Sequence, residues 1–111
     1  MSDKKLIQSK SGATSRSKAT DFTLVPTEAI EAIARRFQYG IDHGRENWKI
    51  GKNDPDYIKE RLNHAQKHLL KILTKEATSE DLDAVMCNLA MVCWWKRNGN
   101  GLKELMPNLY E

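Results

Sequence analysis

Ten consecutive residues, Tyr39-Gly40-Ile41-Asp42-His43-Gly44-Arg45-Glu46-Asn47-Trp48, put a phenol, an indole, an amide and a guanidinium into one short segment. These groups suit a nucleotide. Tyr39 or Trp48 can stack on a base, Asn47 can read its edge, and Arg45 can hold phosphate through planar, charge-assisted hydrogen bonds. Gly40 and Gly44 offer backbone dihedrals closed to other residues, as a loop wrapped around a ligand requires. A structural reading of the same residues stays open, with Trp48 as a lid on the core, Asn47 as a turn residue and Gly44 as a hinge.

Further candidates lie downstream. Arg61, His64, His68, Lys71 and Lys75 recur at helical spacing and form a basic margin, suited to phosphate or equally to a solvated face. His64 and His68, at i and i+4, have the spacing of zinc ligands but lack the glutamate of an HExxH site, and no third ligand is evident. Asn88 places an amide in an apolar stretch, where it must find a partner in a ligand or in the chain. Carboxylates that could hold a divalent cation are Glu28 and Glu31, then Glu80, Asp81 and Asp83. Acids at those places also complement the dipoles of helix N-termini, and that bland reading competes with the metal one.

Three helices must position these groups. The first is expected from Pro26 to Tyr39, with Pro26 in its first turn, Gly40 as its C-terminal cap and Ile30, Ile33, Ala34 and Phe37 on its buried face. Glu31 and Arg35 can pair across one turn of its outer side. A connection from Gly40 to Asp54 follows, long for a compact domain, which marks it as functional or disordered; Trp48 and Ile50 argue for order. Asp54-Pro55 opens a second helix, expected to run to Lys75, with Ile58, Leu62, Ala65, Leu69 and Ile72 as its apolar seam. Thr78 and Asp81 match a capping box, starting a third helix at Ser79 that ends by Gly99. Leu82, Val85, Met86, Leu89 and Cys93 help make this helix apolar on most sides. A turn at Leu102 to Met106 precedes Pro107, and no strand pattern appears.

The pattern describes an all-α protein, a small helical bundle. Three helices cover Met91, Trp94 and Trp95 poorly, so completion by homo-oligomerisation is expected. Residues 1 to 20 are read as a disordered tail and 21 to 111 as the domain, because the leader lacks apolar periodicity. Five cations against Asp3 give the tail +4; the whole chain is +3, so the domain carries −1. This argues against nucleic acid as the partner, since a groove binder carries its basic stripe on the folded part. No segment is apolar and long enough to suggest a signal peptide or a membrane span, and a cytoplasmic setting is expected. Cys87 and Cys93, six residues apart on one helix and so about 9 Å apart, cannot pair with each other and are read as core thiols.

Taken together, Leu24-Val25-Pro26-Thr27-Glu28-Ala29-Ile30, Tyr39-Gly40, Arg45 to Trp48 with Gly51, and Lys67-His68-Leu69 resemble the phage dATP/dGTP diphosphohydrolase N-terminal domain, a relative of the MazG-like all-α nucleotide pyrophosphatases. The resemblance spans residues 21 to 95. It implies an oligomeric all-α fold that binds purine deoxynucleoside triphosphates with a divalent metal and releases pyrophosphate. The chain departs from the pattern after the second helix. Family members carry a longer acidic segment there and then two histidines three residues apart. This chain has Lys75 to Asp81, with Asp81 and Ala84 at the aligned positions; Asn88 matches the family asparagine.

Three functions follow as expectations. The first is a phage-type protein, acting in the host cytoplasm, that sequesters a purine nucleotide or a nucleotide-derived signal of host defence without hydrolysing it and needs no cofactor. The second is a pyrophosphohydrolase of dATP or dGTP using Mg²⁺ or Mn²⁺. The third is a helical protein-interaction module.

Overall fold

The apolar spacing and caps of the sequence become five helices in a computed structural model that describes residues 19–111 and, for the backbone alone, 6–8 and 14–16. The long helices are α1 (Thr27–Tyr39), α3 (Pro55–Leu73) and α4 (Ser79–Asn98); the short ones are α2 (Asn47–Ile50) and α5 (Gly101–Leu105). Turns of 3-10 helix at Gly40–His43 and Gly51–Asn53 flank α2. The architecture is all-α, with α1 and α3 both laid along α4. Near the N-terminus β1 (Leu6–Gln8) and β2 (Thr14–Arg16) pair antiparallel, Ile7 opposite Ser15, which no alternation in the sequence had announced. The expectation of a disordered tail over residues 1 to 20 otherwise falls mostly outside the described residues.

Local signals set the helix ends. Asp54 accepts hydrogen bonds from the Asp56 and Tyr57 amides at 3.1 and 3.2 Å, an N-cap that contributes about 1 kcal/mol. The Thr78–Asp81 capping box is formed, with the Thr78 amide donating to Asp81 Oδ2 at 2.9 Å. Two ends differ from expectation. Pro26 is the N-cap of α1, extended at ψ 136°, because its ring fixes φ while leaving ψ free to turn the chain in. Helix α3 stops at Leu73, and the chain leaves it through Lys75 in the left-handed region at φ 64°.

The core gathers at one end of the bundle, where Ile58 of α3, Trp95 of α4 and Leu102 of α5 are fully buried. Trp48, Tyr57, Met91, Trp94 and Leu105 pack around them. Trp95, expected to be hard to cover within one chain, is fully buried here, while Met91 and Trp94 are half-buried. Helices α2 and α5 supply the lid. At Gly99 a side chain would collide with the Lys52 carbonyl, so glycine lets the end of α4 meet the loop before α3.

Other apolar residues lie outside. Ile30 is 54% exposed, Leu82 52% and Leu89 50%, and Leu69 and Leu73 are exposed near the end of α3. The buried face of α1 is centred on Ala32 instead, and that of α4 on Ala84, Cys87, Asn88 and Trp95, with Asp81 and Asp83. Cys93 is exposed, so only Cys87 of the two thiols is a core group. Among the described residues no helix is long and apolar enough to cross a membrane.

Candidate functional site

The loop after α1 is held in place by the core beneath it. The Trp48 ring lies 5.3 Å from that of Phe37 and meets Trp94 and Trp95 edge-on at 5.2 and 6.1 Å. Trp95 Nε1–H donates to the Trp48 carbonyl at 3.1 Å. Aromatic pairs of this kind contribute about 0.5–1.5 kcal/mol each beyond area burial. Trp48 thus serves the core as a lid while its remaining surface faces a cavity.

Gly44 takes φ 97°, a conformation side chains resist, and it turns the loop over that cavity. Gly40, expected to need the same freedom, sits at φ −86° with open space where a Cβ would point. It caps α1, and any small residue could do so there.

The cavity, about 370 Å³, opens between the end of α1, the loop and the first turns of α3. Arg36, Arg45 and Arg61 line it with His43, and Tyr57, Trp48 and Phe37 supply aromatic walls. No carboxylate lines it. None of the three guanidiniums is within ion-pair distance of a carboxylate among the described residues. Arg36 stacks on Tyr39, 4.5 Å from the ring centre, and Arg61 on Tyr57 at 5.8 Å. Stacking satisfies a guanidinium's face and leaves its N–H edge free for an acceptor. Arg61 Nε is buried without any hydrogen-bond partner, which costs about 1–3 kcal/mol until an acceptor arrives. Three cations, donors to spare and flat walls are groups whose chemistry suits a phosphorylated aromatic molecule.

Of the nine candidate ligand-binding residues, Arg45, Asn47, Trp48 and Arg61 meet at this cavity. The other five do not line it. Tyr39 is 71% exposed and serves as the platform for Arg36. His64 lies 3.3 Å from its own-helix neighbour Glu60. His68 Nδ1 is 2.7 Å from Asp81 Oδ1, and Lys71 Nζ is 3.8 Å from the same oxygen. Asn88 Nδ2 donates to the Ala84 carbonyl at 2.8 Å, so the chain itself provides the partner its amide needs. The basic margin of α3 is therefore divided: Arg61 turns to the loop, while His68 and Lys71 turn to the start of α4.

Arg36, His43 and Tyr57 escaped the sequence reading. A signal for two of them existed. Arg36 lies one turn beyond Ala32 on the face that small residues bring close to α4, and Tyr57 precedes Arg61 by one turn of the same helix.

Asp81 and Asp83, the buried pair among the candidate metal-binding carboxylates, are engaged with basic side chains. Asp83 accepts two hydrogen bonds from Arg35, Nε at 2.9 Å and Nη2 at 3.0 Å, and this guanidinium holds its carboxyl below the usual range. Arg35 also approaches Glu31 at 3.9 Å, the pair expected across one turn, though it favours Asp83. Asp81 is drawn down to about 2 by the His68 hydrogen bond, then by the Thr78 amide. Glu28 is 3.4 Å from the Thr27 hydroxyl, and Glu80 is exposed in the first turn of α4. Among the described residues no three His, Cys, Asp or Glu side chains gather as a metal-holding group. As arranged, the two buried carboxylates are each paired with a basic side chain.

A model of the dATP/dGTP diphosphohydrolase, N-terminal, family matches residues 9–105. No curated protein and no solved structure matches the chain.

Proposed function

Because the chain belongs to the dATP/dGTP diphosphohydrolase, N-terminal, family, we propose that it binds a purine nucleotide, or a signal molecule derived from one, with the phosphates in the Arg36–Arg45–Arg61 cavity. The observation that carries this reading is the convergence of three guanidiniums in a lining free of carboxylates. In such surroundings an anion gains charge-assisted hydrogen bonds and relieves repulsion among the cations.

The first form of this reading is binding without turnover. Phosphoryl chemistry on a triphosphate draws on clustered acids to place a metal, whereas Asp81 and Asp83 are committed to His68 and Arg35. The ligand class then includes nucleotide signals of host defence, and the protein acts as a phage-type sequestering protein in the host cytoplasm. A homo-oligomer fits the exposed Ile30, Leu82 and Leu89. The second reading, a pyrophosphohydrolase with Mg²⁺ or Mn²⁺, is favoured by the family's own description.

Titration calorimetry of the purified chain against a purine nucleotide panel, with and without Mg²⁺ or Mn²⁺, tests both. Mass spectrometry of the recovered ligand completes the experiment. Sequestration predicts metal-independent binding and an intact nucleotide after denaturation; metal-dependent release of pyrophosphate would refute it. An interaction module would bind nothing in the panel.

A further inference from the structure

A second cavity, about 430 Å³, lies beside the basic one and shares Phe37, Arg45 and Trp48 with it. Its other walls come from Ala34, Gln38, Ile41, Glu46 and Lys49. We propose that this second cavity is the subsite for the ligand's heteroaromatic base. The inference rests on the nucleotide reading above and assigns the two halves of the ligand to two connected spaces.

Four observations carry it. Ala34, Phe37, Ile41 and Trp48 give this cavity an apolar side that no cation occupies, with the tilted Phe37–Trp48 pair as a wall and Ile41, half exposed, as an uncovered apolar edge. Arg45 borders both spaces, so a phosphate gripped by it leaves the rest of the molecule at the mouth of the second cavity. Gln38, an exposed residue on the last turn of α1, offers an amide with two donors and an acceptor, able to pair with a base edge. Two of the charged residues in the lining balance each other, Lys49 Nζ pairing with Glu46 at 2.8 Å, so the remaining charge is that of Arg45 at the border with the basic space. The volume is ample for a purine ring, and base–aromatic contact works with any base because each has a π face.

Ala34 is exposed on the surface of α1, so a larger side chain there fills the subsite without entering the core. The test compares the wild type with Ala34→Phe, Ile41→Ser and Arg61→Ala by calorimetry, using dATP, dGTP and inorganic pyrophosphate as separate probes. Ala34→Phe and Ile41→Ser should weaken the nucleotides by about 5- to 150-fold, the range that base stacking carries, and leave pyrophosphate within about twofold. Arg61→Ala should weaken all three probes. Gln38→Leu should change the ratio of dATP to dGTP affinity. Nucleotide affinity unchanged in both subsite variants overturns the base assignment while the nucleotide reading survives. Equal losses for nucleotide and pyrophosphate overturn it too, since the effect would not belong to the base. Failure of the wild type to bind any of the probes removes the nucleotide reading itself.

Discussion

Replacing Trp48 with alanine should cost stability as well as ligand, and the size of the first loss follows from the packing. Its ring is half-buried and touches Phe37, Trp94 and Trp95, with centroids 5.2 to 6.1 Å away. Truncating a fully buried tryptophan costs about 3–5 kcal/mol, so a partly exposed one at the edge of the core should cost about 2–3 kcal/mol. The Trp95 bond to the Trp48 carbonyl survives, since it uses the backbone. For a domain of this size each kcal/mol moves the melting temperature by about 4–8 °C, giving a fall of roughly 8–24 °C. Arg45 is the control. It is exposed and has no ion pair among the described residues, so Arg45→Ala should stay within about 0.5 kcal/mol of the wild type while weakening nucleotide binding. Thermal melts followed by circular dichroism, run without ligand, separate the two. A Trp48→Ala protein melting within about 4 °C of the wild type would refute the argument that this indole is part of the core.

Removing a cation from the basic cavity should act in the opposite sense. Arg61→Ala or Arg36→Ala should lower nucleotide affinity by about 10- to 150-fold, the worth of a charged hydrogen bond, without lowering the melting temperature, because like charges separate; a fall of more than about 4 °C contradicts this. Acid stability should depend on Asp81. Its pKa is depressed to about 2 in the folded chain, so its contribution is complete above the unfolded value near 4 and is lost as pH falls toward 2. Urea midpoints measured from pH 6 to 2 should therefore fall further in the wild type than in Asp81→Asn, and parallel curves would sink the idea. Of the two cysteines, Cys93 should react with an aromatic disulfide reagent in the native state while Cys87, buried and with its thiol pushed up to about 11, waits for unfolding. Leu89→Glu should lower the mass measured by light scattering if the exposed stripe of α4 joins two copies; an unchanged mass removes that stripe from the interface.

Much of the fold was legible because it is local. Asp54-Pro55, the Thr78–Asp81 box and the apolar recurrence in the second helix each act within one or two helical turns, and each defined an element close to its observed place. The buried faces were less legible. Ile30 follows the expected seam of α1 yet is exposed, because the small Ala32 lets α1 come nearest to α4 on another side. In α4 nearly every side is apolar, so periodicity cannot choose which one turns inward. The pairs Arg35–Asp83 and His68–Asp81 are formed from the inward side, carboxylates that a sequence reading places in solvent or on a metal.

By itself the sequence determined the all-α class, the start of α3 and both ends of α4, the inability of Cys87 and Cys93 to pair, and a loop rich in groups that suit a nucleotide. Those properties depend on residues close together along the chain. Only the tertiary structure decided that Arg45 and Arg61 are joined by Arg36 and His43, while His64, His68, Lys71 and Asn88 find partners elsewhere. The reason is rotational. A helix places a residue on its own surface at about 100° per step, but which part of that surface meets another helix is set by how the two pack. Residues 36, 45 and 61 face one cavity because α1 and α3 lie on α4 at particular rotations, with Trp48 pinned to Trp95 between them.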